Sequence, residues 1–188
     1  MTRLNNLDKD ILKIHKGWVK YILPYSYMVN LAERTAKQLD YIFFQQLNLL
    51  NIKSLIECGA YEATASIMAN KVGINALAIE ANPETFEKIT PKQTKKFLKI
   101  NCGLGDKNET LDFYVPQQKS RRTGSTFIPK KDENYFIKKV PIKKLDDVIL
   151  NYSYVSSPFA LWIDVEGMQK QVLKGGGLYT AKSKLQND

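Results

Sequence analysis

Two acidic residues stand where strands of an α/β protein would end. Glu57 follows the run Ser54-Leu55-Ile56, and Glu80 ends the run Ala76-Leu77-Ala78-Ile79. Glu80 lies 23 positions after Glu57, close to the offset of about 20 residues at which an acid binds the ribose of a nucleotide cofactor. The spacing therefore predicts a site for a cofactor that contains adenosine.

The turn after Glu57 indicates which cofactor this is. It reads Gly59-Ala60-Tyr61-Glu62-Ala63-Thr64 and lacks the second and third glycines of G-x-G-x-x-G, which let a backbone approach a pyrophosphate. Glu57 and Glu62 would also repel phosphate groups. S-adenosylmethionine carries no phosphate and bears a sulfonium and an ammonium cation, so the turn favours it over a nicotinamide dinucleotide. An ordinary α/β turn with no ligand stays open at this point.

A second acidic pair, Asp164 and Glu166, follows the apolar run Phe159–Ile163 and precedes Gly167. Strand alternation puts Trp162 and both acids on one side. Carboxylates at the end of a strand can act as a general base or orient a substrate, while pairing with lysines is the structural alternative. Asp-x-Glu alone is too small a ligand set to predict a metal site.

The segments that must position these acids alternate between strand and helix. This order is typical of a parallel sheet, whose ligands bind at the carboxyl ends of the strands. Asn82-Pro83-Glu84 predicts a helix start, with an N-cap, a proline at the first position and an acid in the first turn. Ile67 and Met68 are expected to face inward. The predicted segments are Ser54–Gly59, Ala63–Lys71, Ala76–Ala81 and Phe97–Cys102, and residues 140–147 end an extended segment and start a helix that runs to about Asn151.

The first fifty residues predict a helical extension before a domain over 51–188. Apolar residues recur at helical spacing, and Asn30 with Glu33 has the spacing of a capping box, so we expect a helix from about 31 to 50. His15 is the only histidine, and we expect it at the surface or between helices.

Composition narrows the class of protein further. The chain has 188 residues, of which 44% are hydrophobic, and this argues against a disordered or collagenous chain. Cys58 and Cys102 lie in apolar stretches and are predicted to be reduced core residues. The start has no signal-peptide pattern and no stretch reaches the roughly 18 apolar residues of a membrane span, so a cytoplasmic location is expected.

Five stretches of the chain together resemble the FkbM family of S-adenosylmethionine-dependent methyltransferases. They occur in the family's order across about 54–177. The resemblance implies a Rossmann-like class I methyltransferase fold with a parallel-rich sheet, and O-methylation of a hydroxyl on a sugar, another glycan or a small molecule. The stretches are Ile56–Ala60, Ile79–Pro83, Asn101–Asp106, Ile142–Asp147, and Ile163–Gly167 leading into Val172–Gly175.

The resemblance also assigns roles to residues. Glu57 and Gly59 would hold the methionine end of the cofactor, Glu80 the ribose, and Asp106 would lie near the adenine. Asp164 and Glu166, the predicted catalytic residues, would line the pocket where methyl donor and acceptor meet. Gly124-Ser125-Thr126 resembles a small-residue segment that would face the substrate. The full set of predicted cofactor-binding residues is Glu57, Gly59, Ala60, Tyr61, Glu80, Ala81, Asn82 and Asp106.

The chain departs from the family pattern at the cofactor turn, at Gln169, where the family commonly has an acid, and at its C-terminus. The family usually has Asp at Glu57, Asn at Tyr61 and Gly at Ala63, so the cofactor turn is bulkier here. The chain also ends at Asp188, before the further strands of the usual fold. We therefore expect a shortened C-terminus that leaves the strand before Asp164 as a sheet edge, which a second copy or a partner chain would cover.

Two alternatives to a methyltransferase stay open. One is a non-catalytic protein that binds a cofactor or a partner through the same fold. The other is a nucleic-acid-binding or -modifying protein, because residues 84–144 hold 15 basic and 7 acidic residues and so carry +8 of the net +9. Nucleic acid is disfavoured, because the chain lacks an Asn/Asp-Pro-Pro-aromatic tetrapeptide and its aromatic residues do not interleave regularly with the lysines.

Overall fold

The computed structural model describes residues 42–47, 49–90, 92–117, 124–131, 133–152 and 155–177. The chain divides into two compact units, Met1–Leu49 and Leu50–Asp188. In the first unit residues 42–47 are helical, within the helix expected from 31 to 50. His15 and the rest of the predicted helical extension lie outside the described residues.

The second unit is an α/β structure in which the described strands form two sheets. β1, β2, β3 and β7 form a fully parallel sheet in the order β3-β2-β1-β7, and β4, β6 and β5 form a three-stranded sheet in that order. The elements are β1 (Ser54–Cys58), α1 (Thr64–Lys71), β2 (Asn75–Glu80), α2 (Pro83–Glu87), β3 (Phe97–Asn101), β4 (Gly103–Gly105), β5 (Glu109–Pro116), β6 (Tyr135–Lys144), α3 (Leu145–Asn151), β7 (Phe159–Ile163) and α4 (Gln169–Gly175).

Strand alternation gives the parallel sheet two apolar faces. On one face Ile56, Cys58, Leu77 and Ile79 pack with residues of α3 and α4, while the other face carries small residues such as Ala76 and Ala78. The predicted alternation of the last strand is confirmed, since Leu161, Ile163 and Val165 all pack on the first face. β7 lies at one edge of the sheet among the described residues, and its pairing with a second copy stays a prediction.

The prediction that Ile67 and Met68 of α1 face inward is confirmed in part, since both are half-buried and Ile67 packs against the core on the alanine-rich face of the sheet. The buried residues of this helix are Ala65, Ser66 and Ala69, whereas Ile67 and Met68 are only half-buried. The small buried side chains let the helix lie close to the alanine-rich face of the sheet, and the half-buried Ile67 packs against the same core.

The three-stranded sheet was not predicted from the sequence. β5 and β6 form a long antiparallel pair, and β4 extends it by pairing in parallel with the end of β6. Phe113, Val115 and Val140 form a small core on one face of this pair. The sequence does contain one feature that predicts β5: Leu111, Phe113 and Val115 alternate with the period of a half-buried strand.

Both cysteines are free and buried, as predicted. They belong to the core between the parallel sheet, α3 and α4. Burial raises the pKa of the Cys58 thiol far above its ordinary range and that of Cys102 to about 11. These thiols therefore act as small apolar core groups. No helix in the described part of the chain is both long and apolar enough to cross a membrane.

Candidate cofactor and acceptor site

The carboxyl ends of β1, β2 and β7 meet at one point of the parallel sheet. The backbone N–H groups of Gly59 and Ala60 both donate to the carbonyl of Ile79, each at 2.9 Å. The N–H of Asp164 donates to the carbonyl of Cys58 at 2.8 Å. The turn after β1, the end of β2 and the residues after β7 are thus held together by backbone hydrogen bonds, as expected for a ligand site of a parallel sheet.

Glu57 caps the helix that follows the turn. Its carboxylate is buried and accepts the backbone N–H groups of Ala65 at 3.2 Å and Ser66 at 2.8 Å. The residue at the N-cap position, Ala63, has no side-chain oxygen to satisfy these donors. A carboxylate from the preceding strand supplies the negative charge that a helix N-terminus attracts. From the sequence, Glu57 was predicted to bind the cofactor, and its contact with the N-terminus of α1 was not predicted.

Glu80 joins the turn to the end of β2. Its side chain is only 8% exposed. One oxygen accepts the N–H of Tyr61 and the other the N–H of Asn82, both at 2.7 Å. Burial raises the pKa of this carboxyl group, and the N–H groups of Asn82, Tyr61 and Ala81 offset part of that rise. Each carboxylate oxygen can accept more than one hydrogen bond, so capacity remains for a ligand hydroxyl.

The turn holds three residues in the left-handed region, with φ of 81° at Gly59, 52° at Tyr61 and 57° at Ala63. A Cβ at Gly59 would lie 2.2 Å from the carbonyl oxygen of Asp164, so this position requires glycine. Tyr61 and Ala63 hold the same backbone conformation with a Cβ, which costs about 1–2 kcal/mol per residue.

The residues after β2 begin α2 as the sequence predicted. The side-chain oxygen of Asn82 accepts the N–H of Glu84 at 3.1 Å, and Pro83 is the first helical residue. Ala81 packs against the small core of the second sheet. Asn101, which sequence reasoning missed, donates its side-chain N–H to the carbonyls of Glu80 at 2.8 Å and Ala81 at 3.2 Å. Asn101 follows the mostly apolar run Phe97–Ile100. A polar amide at the end of this predicted strand was the feature of the sequence that could have indicated a site residue.

Asp164 and Glu166 lie just beyond β7 and are both exposed. Neither carboxylate is buried, so the cost of burying an unpaired charge does not arise. The hydroxyl of Thr126, in the predicted substrate-facing segment, donates to the backbone carbonyl of Glu166 at 3.1 Å. Within the described ranges no three His, Cys, Asp or Glu residues form a group that could hold a metal ion.

Asp106 follows a strand of the three-stranded sheet, whereas the other predicted residues lie at or just after the ends of strands of the parallel sheet. Asp106 is half-buried in the turn after β4. The other seven predicted cofactor residues lie around the ends of β1 and β2, within residues 57–82. A role for Asp106 at the adenine stays a prediction.

Comparison with protein families identifies this arrangement. The model of the methyltransferase FkbM domain matches residues 57–186, which is more than half of the chain. The chain belongs to the FkbM methyltransferase family. Membership implies a methyltransferase that uses S-adenosylmethionine, and a four-stranded parallel sheet in an α/β fold is consistent with it. A search of the curated proteins found no match.

The motifs of this FkbM domain fall into two groups in space. The stretches that contain Glu57, Glu80 and Asp164 meet at the carboxyl ends of the parallel strands. The remaining stretches meet at a packing contact, where a Cβ at Gly175 would lie 2.1 Å from the carbonyl oxygen of Gly105 and 3.4 Å from the nitrogen of Leu145. The stretch Asn101–Asp106 belongs to both groups, because Asn101 at its start donates to the carbonyls of Glu80 and Ala81.

Proposed function

We propose that this FkbM domain transfers the methyl group of S-adenosylmethionine to a hydroxyl of a sugar or another small molecule, on a Rossmann-like class I methyltransferase fold. The observation that carries the proposal is the carboxylate of Glu57 at the N-terminus of α1. In a dinucleotide site that helix end binds the pyrophosphate. Here the Glu57 carboxylate occupies the N-terminus of α1, where a pyrophosphate would otherwise bind. Because this carboxylate would repel a phosphate group, the site favours a cofactor without phosphate.

The residues around the turn suit such a cofactor. Glu80 offers acceptor oxygens to the two ribose hydroxyls, while its bonds to Tyr61 and Asn82 fix its orientation. The backbone of Gly59 to Tyr61 would hold the methionine end. When bound, S-adenosylmethionine supplies an electrophilic methyl group on a cationic sulfur.

The acidic residues beyond β7 would act on the acceptor. Asp164 or Glu166 would take the proton of the acceptor hydroxyl as a general base, or would orient the hydroxyl without accepting its proton. The main contribution of the protein is then to hold the acceptor oxygen in line with the methyl group and the leaving sulfur.

Isothermal titration with S-adenosylmethionine tests the donor site. The intact chain should bind, and Glu80→Gln should weaken binding about tenfold to a hundredfold, because hydrogen bonds to a charged acceptor contribute about 1.5–3 kcal/mol. Glu87→Gln is the matched control, since this exposed acid at the end of α2 lies outside the cofactor turn and its loss should leave the affinity within about twofold. An intact chain that does not bind, or a Glu80→Gln variant that binds equally well, contradicts the proposal.

A screen with a labelled methyl donor separates the enzyme from the non-catalytic alternative. The chain is incubated with a pool of monosaccharides and other hydroxyl compounds, and labelled product is measured. Transfer to any acceptor rules out a purely binding protein. With that acceptor, Asp164→Asn and Glu166→Gln distinguish the two roles, because loss of a general base lowers kcat whereas loss of an orienting contact raises KM.

A further inference from the structure

Residues 124–128, here called the strap, run beside the second sheet and end at the turn that carries Glu166. The backbone of Thr126 pairs with that of Tyr114 on β5: its N–H donates to the Tyr114 carbonyl at 3.0 Å, and its carbonyl accepts the Tyr114 N–H at 2.9 Å. The ring of Phe127 lies 4.7 Å from that of Phe113, between ring centroids. The strap is thus fixed to the three-stranded sheet by its backbone and by its core.

The hydroxyl of Thr126 connects this anchored strap to the turn after β7. It donates to the backbone carbonyl of Glu166 at 3.1 Å and accepts the N–H of Ile128 at 3.0 Å. The side chain of Ile128 lies over Gly167, the next residue of the turn. A Cβ added at Gly167 would be 3.0 Å from Cδ1 of Ile128. Gly167 has φ of 83°, in the left-handed region that favours glycine, so a side chain at this position would be disfavoured by both the backbone and Ile128.

The donor side of the site is held by a different set of contacts. The turn after β1 is fixed by the carbonyl of Ile79, by the Glu80 carboxylate and by the close approach of Gly59 to Asp164. None of these contacts includes a residue of the strap. The position of Glu166 can therefore depend on Thr126 while the donor side does not.

We propose that Thr126 is a positioning residue for the acceptor side of the site. Its hydroxyl holds the Glu166–Gly167 turn against the second sheet and so sets where the Glu166 carboxylate meets the acceptor hydroxyl. This role rests on the proposed methyl transfer, because only that reaction gives the turn an acceptor to meet.

Hydrogen exchange combined with titration tests this role, with Thr126→Val and Thr126→Ser as a matched pair. Valine keeps the shape and removes the hydroxyl, whereas serine keeps the hydroxyl. In Thr126→Val we expect amide exchange in residues 164–168 to rise about fivefold, the equivalent of one lost hydrogen bond, while exchange in 59–63 stays unchanged. Thr126→Ser should exchange as the unaltered chain does, and both variants should keep the affinity for S-adenosylmethionine within about twofold.

Three results would overturn the proposal. They are unchanged exchange at 164–168 in Thr126→Val, equal disturbance in Thr126→Ser, and weakened cofactor binding in Thr126→Val, which would assign the strap to the donor side. Ile128→Ala carries the test if Thr126→Val unfolds, because Ile128 is 53% exposed and its truncation removes the side chain that lies over Gly167. That variant should also raise amide exchange in residues 164–168, and an unchanged exchange rate there contradicts the proposal.

A failure of the unaltered chain to bind S-adenosylmethionine would instead count against the proposed function, since the exchange comparison needs no cofactor.

Discussion

At the scale of single residues, Glu80 links the stability of the fold to pH. Burial raises its pKa above the ordinary value of 4.5, although backbone N–H groups offset part of the rise. The folded chain therefore holds the proton of Glu80 more tightly than the unfolded chain does. Its contribution to the free energy of unfolding is complete below the unfolded pKa and is lost as the pH rises through the folded pKa.

Urea unfolding of the unaltered chain and of Glu80→Gln between about pH 4 and pH 7 measures this contribution. The stability of the unaltered chain relative to the variant should fall as the pH rises. The variant also loses an acceptor for one backbone N–H, but that loss is the same at every pH and leaves the slope unaffected. A difference that grows with pH would mean that the fold favours the ionised carboxylate.

Tyr61 stores strain in the cofactor turn that a different side chain would relieve. It holds φ of 52°, and its side chain is 45% exposed. Asparagine tolerates the left-handed region better than other residues with a Cβ. Tyr61→Asn should therefore stabilise the chain by about 0.5–1 kcal/mol in thermal or urea unfolding. Tyr61→Ala is the control, because it removes the ring and keeps an unfavourable residue in the same conformation, so it should give no gain.

At the scale of elements, the turn after β1 depends on direct backbone contact with the end of β7. A Cβ at Gly59 would overlap the carbonyl of Asp164, whereas a Cβ at Gly73, where φ is 89°, would meet nothing within 4 Å. Gly59→Ala should cost at least about 3 kcal/mol of unfolding free energy, because strain and overlap add. Gly73→Ala carries the strain alone and should cost about 1 kcal/mol. Equal costs would mean that the contact between the turn and β7 contributes nothing.

The elements that sequence could predict are those with a local signature. Each strand of the parallel sheet is an apolar run, and Asn82 with Pro83 marks the start of α2 by type alone. The antiparallel pair of β5 and β6 was missed because its partners are far apart in the chain and a period of two does not identify them. The contact between Glu57 and α1 was missed for a related reason: the sequence locates an acid at the end of a strand, but not the donors that its oxygens accept.

At the scale of the whole molecule, several lysines of the basic segment 84–144 have structural partners. Lys99 donates to the carbonyls of Phe86 and Ile89 at 3.2 Å each, at the end of α2. Lys138 lies 2.5 Å from the carboxylate of Glu84, and so bridges β6 and α2 beside the donor site. These contacts account for part of the positive charge without nucleic acid.

The packing of the molecule also depends on motifs that do not touch the candidate site. A Cβ at Gly175 would lie 2.1 Å from the carbonyl oxygen of Gly105, where α4 meets β4 and the start of α3. Gly175→Ala must move α4 away from this contact, and we expect a loss of at least about 3 kcal/mol in urea unfolding. Gly177 is exposed and a Cβ added there would meet nothing within 4 Å, so Gly177→Ala should change stability by less than about 1 kcal/mol. At temperatures where Gly175→Ala is still folded, its affinity for S-adenosylmethionine should match that of the unaltered chain, because this contact belongs to the packing group of motifs. Weakened binding at full folding would show that the two groups of motifs are coupled.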